Sequence, residues 1–261
     1  MKLLRYLMVM TLLWPVMSYA AEKVQFSAEA VMSRGDQQMH RKMYVGQSVV
    51  RTEMEMGGRK MIQIMNMGTG TAWTLFPDSK TYYEMKSPPG GGQMNQADTS
   101  QNPCAGMKNM TCKNLGVETV NGRQANKWQI SGKVSGQEFS SLQWIDKQRN
   151  WPIRTFHQDG AVTELMLVGK EVMNGRHTEK WEAVNTSSDG KEQRLTQWYD
   201  PEIRSAVREE MPGGLVNELK NIRVGAQSSA LFSLPAGYKK VKAPSMGSMG
   251  QQQQQRGQGY R

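Results

Sequence analysis

The sequence predicts a mainly β protein: one large, curled antiparallel sheet, an open half-barrel, with few short helices. Three observations predict it. Turn signals recur at short intervals, several runs between them alternate with period two, and a block of the second half is repeated. The turns include Arg34-Gly35-Asp36, Gly57-Gly58, Gly68-Thr69-Gly70, Pro77-Asp78, Asn121-Gly122, Ser135-Gly136, Asp159-Gly160, Asn174-Gly175, Asp189-Gly190 and Pro212-Gly213-Gly214. Asn-Gly and Asp-Gly favour tight hairpins because both residues tolerate positive φ. The runs between turns are about 6–10 residues, the length of ordinary strands.

The clearest alternation spans Ser48 to Met56. Val50, Thr52, Met54 and Met56 face one way; Val49, Arg51, Glu53 and Glu55 face the other. Met61-Ile62-Gln63-Ile64-Met65 is apolar on both faces and is expected in the interior of the sheet. Ala72 to Phe76 stops at Pro77-Asp78, and Thr81 to Met85 completes a hairpin. These strands make an N-terminal meander over residues 21–87.

In the second half, Asn121-Gly122-Arg123 to Lys127-Trp128 recurs as Asn174-Gly175-Arg176 to Lys180-Trp181. Trp144-Ile145-Asp146 recurs as Trp198-Tyr199-Asp200, and Glu164-Leu165 as Glu218-Leu219. Each copy reads as four strands. A unit that cannot bury its own face stacks on its neighbour, so residues 115–242 are expected to extend the same sheet. Between the halves, residues 88–114 read as a Gly/Pro-rich loop, with a short helix expected around Met107 and Met110.

The ends differ from the middle. Lys2 and Arg5 precede the apolar run Leu7–Met17, and Ser18-Tyr19-Ala20 follows. That order reads as a cleaved secretion signal over residues 1–20 and implies a periplasmic location. Removing Lys2 and Arg5 with the leader takes the net charge from +10 to +8. Lys239, Lys240, Lys242, Arg256 and Arg261 supply much of the rest, in a basic C-terminal stretch whose Gln-rich tail is expected to be disordered over residues 243–261. Such a tail suits peripheral contact with anionic membrane surfaces. Nucleic acid is not an expected partner of an exported chain.

Cys104 and Cys112 are the two cysteines. Close together in an oxidising compartment, they are expected to pair. Their spacing is not CxxC and no histidine adjoins them, which disfavours redox or zinc chemistry.

Met43-Tyr44-Val45, Arg51-Thr52-Glu53-Met54, Lys60 to Met65 and Thr81 to Met85 resemble an uncharacterised periplasmic family. That family is similar to the outer-membrane lipoprotein-sorting proteins, the Lol-type carriers and receptors. The ending Leu231-Phe232-Ser233-Leu234-Pro235-Ala236-Gly237-Tyr238 also resembles theirs. The resemblance covers Phe26–Met85 and this final anchor. It implies a curled antiparallel sheet around an apolar cavity that is plugged by short helices and accepts acyl chains. The internal repeat, the Gln-rich tail and the scarcity of helix signals depart from the carriers.

Catalytic patterns are missing. His40, His157 and His177 each lie alone, and there is no Gly-x-Ser-x-Gly elbow, His-Glu-x-x-His helix or phosphate loop. The expectation is a non-enzymatic protein with no cofactor. Methionine is the unusual feature: of 21, Met1, Met8, Met10 and Met17 lie in the leader, which leaves 17. Unbranched, polarizable methionine suits a pliable apolar lining. The residues expected to line a ligand site are Val50, Met54, Met56, Ile62, Ile64, Trp73 and Leu75. They fit a binding or carrier protein that holds a lipid acyl chain or other apolar ligand in a concave sheet. One alternative is an envelope scaffold or stress protein that binds another protein. A second is Cu(I) handling by the thioether pairs Met54/Met56 and Met65/Met67.

Overall fold

The structure, a computed structural model, describes residues 24–86, 102–105, 107, 109–134 and 136–243. The expected secretion signal and all but the first residue of the expected disordered tail lie outside them.

Six strands form the N-terminal meander: β1 (Phe26–Arg34), β2 (Gln37–Val45), β3 (Val49–Met56), β4 (Arg59–Asn66), β5 (Thr71–Phe76) and β6 (Thr81–Lys86). Nine more follow: β7 (Met110–Val120), β8 (Arg123–Val134), β9 (Gln137–Asp146), β10 (Pro152–His157), β11 (Val162–Met173), β12 (Arg176–Thr186), β13 (Glu192–Asp200), β14 (Ser205–Met211) and β15 (Leu215–Val224). The last is β16 (Lys239–Lys240). All belong to one 16-stranded sheet in the order β16-β6-β5-β4-β3-β2-β1-β15-β14-β13-β12-β11-β10-β9-β8-β7. The sheet is open, with β16 and β7 at its ends. Every pairing is antiparallel except β16 with β6. The two halves meet where β1 pairs β15. Among the described residues the helical segments are two 3-10 turns, Pro77–Ser79 and Ser229–Phe232.

Local sequence explains the hairpins. Asn121 and Gly122 both have positive φ, 50° and 74°, as do Asn174 and Gly175, 50° and 76°. These angles belong to the tight two-residue turns whose twist matches that of paired strands. Strand β7 begins at Met110, so the expected loop ends earlier than residue 114. Met110 is in a strand rather than a helix, because its backbone pairs opposite Gly132 of β8. The Cys104–Cys112 disulfide forms and ties the preceding loop to β7. Cys104 packs with Trp128, Ile130 and Ile145.

The repeat becomes a row of side chains crossing five strands, twice. In the first row Glu118 on β7 accepts hydrogen bonds from Trp144 Nε1 (2.6 Å) and Lys127 Nζ (2.9 Å). Lys127 and Arg154 flank the Trp144 ring at 4.9 and 5.8 Å from its centroid, and Arg154 pairs with Glu164 on β11. In the second row Glu171 accepts from Trp198 Nε1 (2.8 Å) and pairs with Lys180. Lys180 and Arg208 flank the Trp198 ring at 5.0 and 5.6 Å, and Arg208 pairs with Glu218. Each copy also carries a buried aspartate held by an arginine: Asp146 with Arg123, and Asp200 with Arg176. Desolvation pushes the Asp146 carboxyl up, but the Arg123 guanidinium and the backbone N–H groups of Arg149 and Gln148 outweigh it and hold the group below the usual range. Lys127 and then Trp144 hydrogen bonds hold Glu118 low, and the Trp198 bond does the same to Glu171.

Candidate functional site

Register fixes the two faces of the N-terminal meander. Directly opposed residues share a face, and alternate residues along a strand do too. Met32 opposes Met39, Ala28 opposes Met43, and Met43 opposes Thr52. Met54 opposes Met61, Val50 opposes Met65, Met65 opposes Ala72, and Ala72 opposes Met85. All the methionines of β1–β6 therefore lie on one face: Met32, Met39, Met43, Met54, Met56, Met61, Met65 and Met85. The meander's strand carboxylates, Glu29, Glu53, Glu55 and Glu84, lie on the other.

The expected lining set divides between these faces. Val50, Met54 and Met56 stand together on the methionine face. Ile62 opposes Glu53 and Leu75, and Ile64 opposes Arg51 and Trp73, so all four apolar residues stand on the carboxylate face. The chain itself covers part of that face, and beside the covered part a pocket of about 510 Å³ opens among Glu29, Lys42, Glu53, Glu55 and Ile62. Ile64 and Leu75 are fully buried. The C-terminal anchor lies against this face: Arg51 donates to the Leu231 carbonyl (2.8 Å), and the Phe232 ring leaves no room for a side chain at Gly46. Beyond the anchor, β16 adds to β6 and Lys240 pairs with Glu84, which also accepts from Trp73 Nε1.

The methionine face is open in part: Phe26, Ala28, Ala30, Thr74 and Tyr83 on it are buried, and its outer methionines are not. Met56, Met65, Met85 and Met39 are 57, 47, 46 and 36 % exposed. Met67, the expected partner of Met65, lies past the end of β4. Toward the sheet centre the same face enters a cavity of about 440 Å³ lined by Ala30, Arg41, Met43 and Thr52 from the meander. Across β1 the lining continues with Leu219 and Asn217 of β15, Ala206 and Glu209 of β14, and Gln197 and Tyr199 of β13. Six adjacent strands would span roughly 24 Å if flat, at about 4.8 Å per spacing. Their convergence on one cavity means that the sheet curls here toward the methionine face.

A turn roofs part of the cavity. Trp151, from the β9–β10 turn, packs edge-on against Tyr199 and Trp181, with centroids 4.7 and 5.4 Å away. Arg149 in the same turn pairs with Glu179. Burial raises the Tyr199 hydroxyl's pKa, outweighing the opposing charge of Arg149. The expected set contains none of Arg41, Met43, Trp151 or Tyr199. The parity of Arg41 with Met39 and Met43 was the available signal.

A family model described as a domain of unknown function, DUF4412, matches residues 27–150, which run from β1 through β9. No curated protein matches the chain. Solved structures similar to it include a DUF1329 family protein from Desulfovibrio piger, 14 % identical over 82 % of this chain and 91 % of that one, with a TM-score of 0.31. A LolA superfamily protein from Nitrosomonas europaea is 11 % identical over 82 % of this chain and 91 % of that one, with a TM-score of 0.36. A domain from Vibrio parahaemolyticus, provisionally named an outer membrane lipoprotein-sorting protein, is 12 % identical over 81 % of this chain and 90 % of that one, with a TM-score of 0.31.

Proposed function

We propose that this protein is a non-enzymatic periplasmic binding or carrier protein that holds a lipid acyl chain, or a comparable apolar ligand, along the methionine face and into the central cavity. The observation that supports this is the segregation itself. One face of the meander collects every methionine of its strands and leaves four of them exposed, while the opposite face carries the carboxylates and is partly covered by the C-terminal anchor. Methionine-rich surfaces repack around ligands of varied shape. Burial contributes about 0.8 kcal/mol per methylene, so a chain burying eight to ten methylenes gains roughly 6–8 kcal/mol before association costs. The basic tail would favour approach to an anionic membrane surface.

A second reading, Cu(I) binding, has one observation in its favour: Met54 opposes Met61, and Met56 lies next along β3. Three thioethers together suit a soft cation. Arg41 opposite Met54 and Arg59 opposite Met56 bring positive charge to the same spot, which disfavours a cation. The apolar ligand is therefore the preferred reading.

Native mass spectrometry of the mature protein, purified from periplasm without detergent, tests this directly. The expected spectrum contains a species of lipid mass that is released on denaturation. A bare polypeptide that also takes up no added fatty acid would move the assignment to a scaffold binding another protein.

A further inference from the structure

Arg41 is anomalous among the arginines. It lies mid-strand in β2, between Met39 and Met43 along the strand and between Ala30 and Met54 across it. It is the one charge in the interior of the methionine face, since Arg34 and Arg59 stand at strand ends. Its Nε is shielded from solvent and has no hydrogen-bond partner. Its one described side-chain bond, Nη2 to Asn217 Oδ1, is long at 3.4 Å. Among the described residues, every other arginine that is not exposed has a carboxylate partner: Arg51, Arg123, Arg149, Arg154, Arg176 and Arg208. Arg41 has none. A shielded guanidinium donor without an acceptor is costly in an unliganded protein.

The charges around the cavity leave that donor free. Glu209 lines the cavity, but its carboxylate accepts from Asn217 Nδ2 at 3.3 Å. Arg204 lines it from the β13–β14 turn and adds a second positive charge. The meander's own carboxylates stand on the far face. The cavity therefore has one negative and two positive side chains, with the unpaired Arg41 Nε–H in it close to Met43.

We infer that the central cavity recognises an oxyanion, a carboxylate or phosphate group, at the head of an amphiphile whose apolar part lies on the methionine face, with Arg41 as its principal contact. This deepens the proposed function and rests on it. Guanidinium matches carboxylate and phosphate in both charge and geometry. The head group supplies the acceptor that Arg41 Nε lacks, while the tail follows Met43, Met54 and Met61 outward.

Calorimetric titration of the mature protein with decanoate, decyl phosphate, decanol and inorganic phosphate, all below micellar concentrations, separates the possibilities. The two anionic amphiphiles are expected to bind at least about tenfold more tightly than decanol. Arg41→Met should erase that preference while keeping decanol affinity, and Arg41→Lys should restore part of it. Equal binding of decanoate and decanol to the wild type would overturn the inference and leave the apolar-ligand reading standing. Binding of inorganic phosphate as tightly as decyl phosphate would reduce the site to one for the free ion and overturn the amphiphile. Binding of no probe would remove the proposed function as well. If Arg41→Met fails to fold, the wild-type ratio of decanoate to decanol decides alone.

Discussion

The two halves of this one sheet use their side chains in opposite ways. In β7–β15, Trp144 and Trp198 are each flanked by two cations, the cations are held by carboxylates, and the row repeats across the strands, although Trp128 Nε1 and Ser141 Oγ nearby are buried without partners. In β1–β6, the carboxylates are confined to the face that carries the C-terminal anchor, and the methionines and Arg41 share the other. A saturated network specifies one arrangement and resists change. An unsaturated apolar face with a free donor can accept something else. The contrast separates a half held by paired charges from a half with exposed apolar side chains.

The largest break in that contrast is expected at Trp181. It is fully buried, touches Trp151, and donates its N–H to Glu179. Trp181→Ala should cost about 3–5 kcal/mol in urea unfolding. A loss near zero would mean that the repeated half is not where stability resides.

Acid should act next. Glu118 and Glu171 in the rows, Asp146 beside Arg123, and Glu84 under Trp73 and Lys240 all have carboxyls held below their ordinary values, 4.5 for Glu and 3.8 for Asp. A folded-state value below the unfolded one gives stability that is present above the ordinary value and is lost as pH falls through the folded one. The thermal midpoint should hold from pH 7 to about 5 and fall steadily below about 4.5. A midpoint that stays level to pH 3 would show that these pairs contribute nothing.

The smallest effect is expected on the open face. Met56→Ala and Met65→Ala should each change stability by less than about 0.5 kcal/mol, because both side chains are already half exposed. Decanoate affinity should nonetheless fall a few-fold in the double variant. Large destabilisation instead would show that the face is core.

The architecture was legible because turn chemistry and repetition are local signals. Asn-Gly at two matched places and the alternation of Ser48–Met56 suffice to predict hairpins and a divided sheet. The lining set was only partly legible. β3 carries polar residues on alternate positions and so fixes its own phase. Met61 to Met65 and Ala72 to Phe76 are apolar at both phases. Pairing with Arg51 and Glu53 decides which residues turn inward, and pattern alone does not contain that pairing. The rows were missed for the converse reason: Glu118 and Arg154 look like solvated charges until Trp144 is known to lie between them. Arg41 was missed because a single cation in an alternating strand reads as surface.

The joining of β1 to β15 sets when the cavity can exist. Its walls come from the first strands of the chain and from the last long ones, so it assembles by the slowest kind of contact, between segments far apart in sequence. A chain emerging N-terminus first would complete its meander early and carry β1 as a bare edge until β15 arrives. Closure of the cavity is thus a late event in the life of each molecule, and a chain cut short before Leu215 would have the methionines and Arg41 but no pocket to put them in.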